Sequence, residues 1–230
     1  MGFDKDSFNQ FIIKNNVYGF FKTPITLSSG RKSHFYANWR SVVYDVFLAE
    51  KLAEYVVRFT KSHNIYVDTF YGVPEGATKI GILSQLYYAK SSKNFSIGSH
   101  VLAMGRAKVK EHGALQDKYF VGAPRGNTVV LEDVTTTGGS LLKAISYLKQ
   151  AGVSISAVIS LTNRMEKRDD GLSVSEVIIN EGIPFFAMSS ALEILPKLIL
   201  NEKLSPDMTS ALIEEFNKYG VMPLEVHNEL

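Results

Sequence analysis

The run from residue 129 to residue 140 places an apolar strand, two acids and a turn rich in hydroxyls and glycine in direct succession. It reads Val-Val-Leu-Glu-Asp-Val-Thr-Thr-Thr-Gly-Gly-Ser. Three β-branched or leucine residues bounded by polar ones predict a buried strand. Apolar residues at 141, 145 and 148 then predict a helix that ends near Gly152. The polar turn therefore connects a strand to the N-terminus of a helix.

A turn in that position can bind an anion, because free backbone N–H groups and the positive end of the helix dipole converge there. Glycine lets an anion approach the backbone closely. Two carboxylates would repel a phosphate, so Glu132 and Asp133 are expected to accept hydrogen bonds from a neighbouring diol such as ribose. An ordinary strand, turn and helix with acids facing solvent is the alternative. The run has neither the Gly-Lys-Ser/Thr of a nucleotide P-loop nor a Gly-x-Gly-x-x-Gly. It resembles the binding signature for phosphoribosyl pyrophosphate (PRPP) of the type I phosphoribosyltransferases.

Composition is typical of a compact enzyme. A chain of 230 residues can bury one sizeable core. Its 25 basic and 23 acidic residues are too balanced to indicate nucleic acid or a membrane as partner. Zero cysteines exclude a disulfide scaffold and a thiolate catalyst. With no apolar signal region and no apolar run of about 18 residues, we expect a cytoplasmic protein.

Strand and helix patterns alternate through the middle of the chain. Extended segments are predicted at 66–71, 100–104, 129–131 and 153–161, with helices between them. This order predicts an α/β fold with a doubly wound, mainly parallel sheet flanked by helices and ligands at the carboxyl ends of its strands. We expect a single domain over 1–230, with a core at about 45–165 and a small hood from about 1–44 and 165–230. Asp6 or Ser7 is expected to cap the first helix.

A basic segment, Arg-Ala-Lys-Val-Lys-Glu-His-Gly at 106–113, precedes the signature strand. A solvated charged surface is the ordinary interpretation of such a run. Next to a PRPP-like signature, a mobile loop that closes over a leaving pyrophosphate is the stronger one, because that reaction needs cations and a cover against water.

The pattern Arg-x-x-x-Lys-x-His-Gly resembles the catalytic loop of the orotate phosphoribosyltransferases. Residues 26–38 resemble that family's N-terminal segment, in which Ser-Gly-Arg/Lys-x-Ser leads into an aromatic strand over the orotate. Asn163-Arg164 follows the 153–161 strand where the family places an arginine against the orotate carboxylate. The resemblance thus covers about Thr26 to Arg164.

The resemblance implies transfer of the 5-phosphoribosyl group from PRPP to N1 of orotate, which gives orotidine 5′-monophosphate and pyrophosphate in pyrimidine biosynthesis. Mg²⁺ is implied as cofactor, held mainly by PRPP without a direct protein ligand. A homodimer that shares the catalytic loop in trans is implied as well. The implied catalytic residues are Lys110, His112, Asp133 and Arg106. The implied PRPP contacts are Glu132, Asp133, Thr135, Thr136, Thr137, Gly138, Gly139, Ser140, Arg106, Lys110 and His112. The implied orotate contacts are Thr136, Arg164, Tyr36 and Ala37.

Several positions depart from the commonest bacterial pattern. Ala107 stands where many members carry a lysine, although Lys108 is adjacent, and Ser28 replaces another lysine. Glu75 and Gly76 stand where a Tyr-Lys pair is common, within a segment that is otherwise simply a turn.

Two other functions stay open from the sequence. A phosphoribosyltransferase for a purine base would not need Arg164 for a carboxylate. A regulator that senses PRPP would carry a module for nucleic acid, and the charge balance shows none.

Overall fold

The computed structural model describes residues 2–226. The strands are β1 (Tyr18–Thr26), β2 (Lys32–Ala37), β3 (Thr69–Gly72), β4 (Thr128–Thr135), β5 (Ile155–Asn163) and β6 (Phe185–Ser190). The helices are α1 (Lys5–Lys14), α2 (Arg40–Tyr44), α3 (Val46–Ser62), α4 (Thr78–Ser91), α5 (Leu115–Tyr119), α6 (Gly139–Gln150), α7 (Val174–Asn180), α8 (Ala191–Asn201) and α9 (Pro206–Tyr219).

Four of the strands form a parallel sheet in the order β3-β4-β5-β6. Alternate residues of β4 enter two separate cores, because successive side chains of a strand point to opposite faces. Val129 and Leu131 pack with α3 and α8, whereas Val130 packs with α6 and α7. The predicted parallel sheet with helices on both faces is confirmed.

The carboxyl ends of β4 and β5 lie side by side. Thr135 is paired with Asn163 in the parallel register, so the turn after β4 and the loop after β5 begin at the same edge of the sheet. That placement brings the 136–140 turn and Arg164 to one site, although they are far apart in the sequence.

A second layer covers this edge. β1 and β2 form an antiparallel hairpin that is not part of the main sheet. Phe35 and Trp39 are buried, and the Trp39 indole N–H donates to Thr162 Oγ1 over 3.0 Å. Phe35 stacks on Phe216 of α9, with ring centroids 6.0 Å apart. Elements from both ends of the chain therefore pack over the strand ends. Phe35 and Trp39 contribute to this packing, as expected from the sequence.

The structure differs from the sequence predictions at three places, namely the end of the core, the cap of the first helix and the predicted strand at 100–104. The core does not end near 165, because β6 pairs in parallel with β5 and extends the sheet. The first helix is capped by Asp4, whose carboxylate accepts the backbone N–H of Ser7. Residues 100–104 join no sheet, since Met104 exchanges backbone hydrogen bonds only with the 121–122 segment.

Every helix within residues 2–226 is too short or too polar to cross a membrane.

Candidate active site

A cavity of about 680 Å³ opens between the hairpin and the carboxyl ends of the strands. Its lining comes from five places, namely the β1–β2 hairpin, the start of α2, the segment after β3, the end of β4 with the start of α6, and the residue that follows β5. The lining residues are Ile25, Thr26, Leu27, Ser28, Ser29, Tyr36, Ala37, Arg40, Pro74, Glu75, Gly76, Glu132, Asp133, Val134, Thr136, Thr137, Gly138, Gly139, Ser140, Leu141 and Arg164.

The turn between β4 and α6 is fixed in one conformation at the cavity wall. Gly138 caps α6 with a φ of 74°, in the left-handed region that favours glycine. A Cβ on Gly138 would lie 2.8 Å from Val174 Cγ1, so the packing also excludes a side chain there. Arg168 Nη1 donates to the Thr137 carbonyl over 2.6 Å and holds the turn from outside. The first N–H groups of α6 lack partners within the helix and could therefore bind an anion at the cavity wall.

Glu132 and Asp133 bring two acids to this wall. Glu132 is buried, and burial first, then the neighbouring charge of Asp133, raise the pKa of the Glu132 carboxyl well above its ordinary range. Asp133 packs against the segment after β3, where a Cβ on Gly76 would lie 2.4 Å from Asp133 Oδ2. The absence of a side chain at Gly76 thus leaves room for the Asp133 carboxylate, which can accept hydrogen bonds from a diol.

Arg164 follows β5 and is almost completely buried. Its Nε donates to Glu166 Oε1 over 2.7 Å. Its Nη2 donates to Ser33 Oγ over 3.0 Å and to Glu215 Oε1 over 3.1 Å. Its Nη1 donates to the Phe35 carbonyl over 3.2 Å, and the guanidinium carbon lies 3.7 Å from the centre of the Phe35 ring. A guanidinium has five N–H donors, so a single Nη1 hydrogen is left for a ligand in this arrangement.

The hood side of the cavity is formed by the hairpin. Tyr36 and Ala37, for which the resemblance implies contact with orotate, line it from β2. Ser28 and Ser29 line it from the turn between β1 and β2. The Ser29 hydroxyl is buried and has no hydrogen-bond partner within residues 2–226, which leaves it free for a polar group in the cavity.

The basic segment lies outside the cavity lining. Arg106 Nε donates to the Asp117 carbonyl over 2.9 Å, and the Lys110 backbone N–H donates to the Lys118 carbonyl over 3.0 Å. The His112 side chain is 91% exposed. None of Arg106, Lys110 and His112 reaches the cavity in this single chain.

Most predicted contacts from β4, α6, β2 and Arg164 line one cavity. Thr135 does not, because its side chain is buried and its hydroxyl lies 3.2 Å from Ser160 Oγ. Sequence reasoning missed Arg40 and Ser29 in the lining, and it missed Glu166 and Glu215 as partners of Arg164. The position of Arg40 three residues after Ala37 was a usable signal, whereas a glutamate 51 residues beyond Arg164 gave none.

Comparison with known proteins gives consistent results. No family model matches the chain. The orotate phosphoribosyltransferase of Bradyrhizobium diazoefficiens is 34% identical over 193 residues, which are 80% of this chain and 92% of that protein. The orotate phosphoribosyltransferase of Leptospira biflexa is 29% identical over 167 residues, which are 72% of this chain and 87% of that protein.

Solved structures show the same fold. The orotate phosphoribosyltransferase of Francisella tularensis superimposes with a TM-score of 0.67 at 23% identity, over 93% of this chain and 99% of that one. An adenine phosphoribosyltransferase from Leishmania tarentolae superimposes with a TM-score of 0.52 at 16% identity, over 80% of this chain and 88% of that one. The fold is therefore the type I phosphoribosyltransferase fold.

Proposed function

The chain belongs to the orotate phosphoribosyltransferase family, and from this premise we propose how its residues divide the work between PRPP and orotate. The enzyme transfers the 5-phosphoribosyl group of PRPP to N1 of orotate, which yields orotidine 5′-monophosphate and pyrophosphate for pyrimidine biosynthesis. The observation that carries the division of roles is the cavity itself. It brings the acid pair, the hydroxyl- and glycine-rich turn and Arg164 to one space of about 680 Å³.

PRPP would occupy the sheet side of the cavity. The 5′-phosphate would accept hydrogen bonds from the backbone N–H groups at the start of α6 and from the hydroxyls of Thr136, Thr137 and Ser140. Glu132 and Asp133 would accept hydrogen bonds from the ribose hydroxyls. Three anchored groups on the same sugar phosphate, the 5′-phosphate and the two ribose hydroxyls, would fix C1′ in place for attack.

Orotate would occupy the hood side, between the β2 segment and Thr136. Tyr36 and Ala37 would cover the ring, and Arg164 would donate to its carboxylate. Departure of pyrophosphate leaves positive charge on C1′ and the ring oxygen of ribose, and N1 of orotate then forms the new bond from the opposite face. A base held by its ring and its carboxylate keeps N1 in line with C1′.

The basic segment would act on the leaving group. Arg106, Lys110 and His112 would lie over the pyrophosphate and offset the negative charge that grows on it. All three side chains lie outside the cavity of their own chain in this structure. Following the family resemblance, we propose that Lys110 and His112 serve the cavity of a second subunit, whereas Arg106 moves onto the cavity of its own.

A homodimer would bring the two together. Tyr44, Val46 and Phe47 are 85%, 84% and 66% exposed, and they begin four residues after Arg40 of the cavity wall. Three neighbouring exposed apolar side chains favour contact with another protein surface. In the proposed dimer this surface beside the cavity would be covered by the partner.

Mg²⁺ fits the donor groups of the cavity. Its preferred ligands are oxygens, and it commonly binds through one or two carboxylates together with substrate phosphates. Glu75, Glu132 and Asp133 are the acids in the lining. Within residues 2–226 no group of three or more His, Cys, Asp or Glu side chains could hold a metal ion. We propose that PRPP carries most of the ligands of the ion. When bound, the ion would stabilise the negative charge of the leaving pyrophosphate.

The test of this proposal is an absorbance assay for loss of orotate with PRPP and Mg²⁺. Parallel reactions contain adenine, hypoxanthine, guanine, xanthine or uracil in place of orotate. We expect turnover with orotate, far slower turnover with the other bases, and loss of activity with a chelator that Mg²⁺ restores. Preference for a purine base would contradict the assignment of the hood side to orotate.

A further inference from the structure

The cavity lining holds more acidic than basic side chains, although both substrates are anions. Among the residues described, its acids are Glu75, Glu132 and Asp133, and its only basic residues are Arg40 and Arg164. Each anionic group of the substrates therefore needs a donor that is free to meet it.

Arg164 has little charge left to offer. Glu166 and Glu215 both form ion pairs with its guanidinium, and the three side chains are almost completely buried. Four of its five N–H groups already have acceptors, so it cannot present the two parallel donors of a bidentate pair without breaking one of these bonds. A ligand would find one free N–H on a guanidinium that is already paired with two glutamates, of which Glu166 is shared with Arg31 over 3.3 Å.

The Arg40 guanidinium, unlike that of Arg164, is unpaired within residues 2–226. Arg40 is the first residue of α2, and its backbone N–H donates to Asn38 Oδ1 over 3.1 Å, which fixes where the side chain starts. Its guanidinium makes no hydrogen bond and no ion pair with any residue from 2 to 226, and the residue is exposed in the cavity wall. Its full charge and both bidentate edges are free.

Arg40 lines the same cavity as Tyr36 and Ala37 and follows them closely in the chain. In the proposed function the 5′-phosphate is bound by the turn before α6, and pyrophosphate by the basic segment. The orotate carboxylate is left with the single N–H of Arg164. Arg40 follows Tyr36 and Ala37, the two residues proposed to cover orotate, by only a few positions.

We propose that Arg40 is the specificity-determining residue that binds the orotate carboxylate as its charged, bidentate partner, with Arg164 adding one hydrogen bond. This inference rests on the proposed function and deepens it. It predicts that recognition of orotate over bases without a carboxylate depends on Arg40, and that binding of PRPP does not.

The experiment compares Arg40→Gln and Arg40→Lys with the parent enzyme. Arg58→Gln is the control for loss of an arginine charge, because it removes that charge from α3 outside the cavity lining and separates an ion pair with Glu54, which Arg40 has no counterpart of. For Arg40→Gln we expect KM for orotate to rise about 10- to 100-fold, the range of a lost charge-assisted hydrogen bond. Arg40→Lys should recover only part of this loss, since an ammonium cannot form two parallel bonds to a carboxylate. KM for PRPP and the thermal midpoint should stay at the parent values.

Uracil, which lacks the carboxylate, provides the second readout. Its slow turnover should be unchanged in Arg40→Gln, so the ratio of kcat/KM for orotate to that for uracil should fall with the rise in orotate KM. An unchanged orotate KM would overturn the proposal, and so would an equal rise in KM for PRPP, which would assign Arg40 to a phosphate. Failure of the parent enzyme to consume orotate at all would instead overturn the proposed function.

Discussion

The turn after β4 and the basic segment carry the two most informative motifs of the chain, yet the fold treats them in opposite ways. The turn is bounded by a central strand and a helix of 12 residues, and Gly138, Val174 and Arg168 fix its conformation. The basic segment is held by backbone hydrogen bonds, by the Arg106 side chain and by an exposed contact of 4.0 Å between His112 and Glu111. The short helix α5 that follows it contributes no buried residue.

The difference follows from what each region has to bind. A group that stays in place during the reaction is best bound by donors that are already oriented. A group that must leave needs donors that open and close, and such segments have few buried contacts. We therefore expect the turn to be complete in one chain, whereas the basic segment acts only when it moves onto a site.

The largest effect is expected when subunits are exchanged between two inactive variants. The experiment tests whether the turn acts within its own chain while the basic segment acts on the other subunit. Lys110→Ala removes one cation of the basic segment. Asp133→Asn removes the negative charge and replaces one of the two acceptor oxygens with an NH₂ donor in the fixed wall, which is the cavity wall formed by Glu132, Asp133 and the 136–140 turn. Each homodimer should lose nearly all activity. After mixing in equal amounts, about half of the dimers should be hybrids with one undamaged site, which restores about a quarter of parental activity if subunits pair at random.

The control for that mixture is Lys110→Ala combined with Asp133→Asn in one chain, exchanged with the Lys110→Ala variant. Every site in these dimers is damaged, so activity should stay at the level of the inactive parents. Subunit exchange is followed separately with a tagged chain. A first mixture as inactive as this control would contradict action of the basic segment in trans.

Limited proteolysis measures the mobility of the two regions directly. Trypsin should cut the free protein first after Lys108, Lys110 or Lys118, because an exposed segment with few contacts opens easily. PRPP, Mg²⁺ and an unreactive analogue of orotate should slow these cuts about tenfold or more if the segment closes.

Cleavage after Lys149 at the end of α6 serves as the internal control and should be slow in both states. Each fragment is identified by its mass. Equal rates of cutting in the basic segment with and without ligands would favour the solvated charged surface over the closing loop.

The regions that the sequence predicted well are those whose structure depends on neighbours in the chain. The 129–140 run was sufficient to locate β4, the turn and α6, since hydrophobic period and glycine position are local signals. Asp45 caps α3 through a similarly local contact, since its carboxylate accepts the Leu48 N–H over 2.9 Å. By contrast, residues 100–104 have a strand-like composition and remain unpaired in any sheet.

The partners of Arg164 could not be predicted because they are brought together only by tertiary packing. Glu215 follows from the docking of α9 on β2, and its Oε2 accepts the His34 backbone N–H over 3.0 Å. In the sequence it is one of two adjacent glutamates on an amphipathic helix, and nothing local marks it as buried. Lys110 and His112 are a different case, because their proposed site belongs to another subunit.

The smallest effect we predict concerns the stability of the fixed wall. Burial and the charge of Asp133 raise the pKa of Glu132, so the folded protein keeps this proton at pH values where the unfolded chain has lost it. Stability therefore falls as the pH rises from the ordinary glutamate value of about 4.3 through the raised pKa of Glu132. Glu132→Gln has no proton to lose, so its thermal midpoint should exceed that of the parent by a margin that grows with pH and then levels off.

Melting curves between about pH 4 and pH 8 measure the margin, with Glu214→Gln on the exposed side of α9 as control. A margin that is flat or shrinks with pH would show that ionisation of Glu132 does not destabilise the folded protein. Burial of this carboxyl would then not lower the stability of the fold.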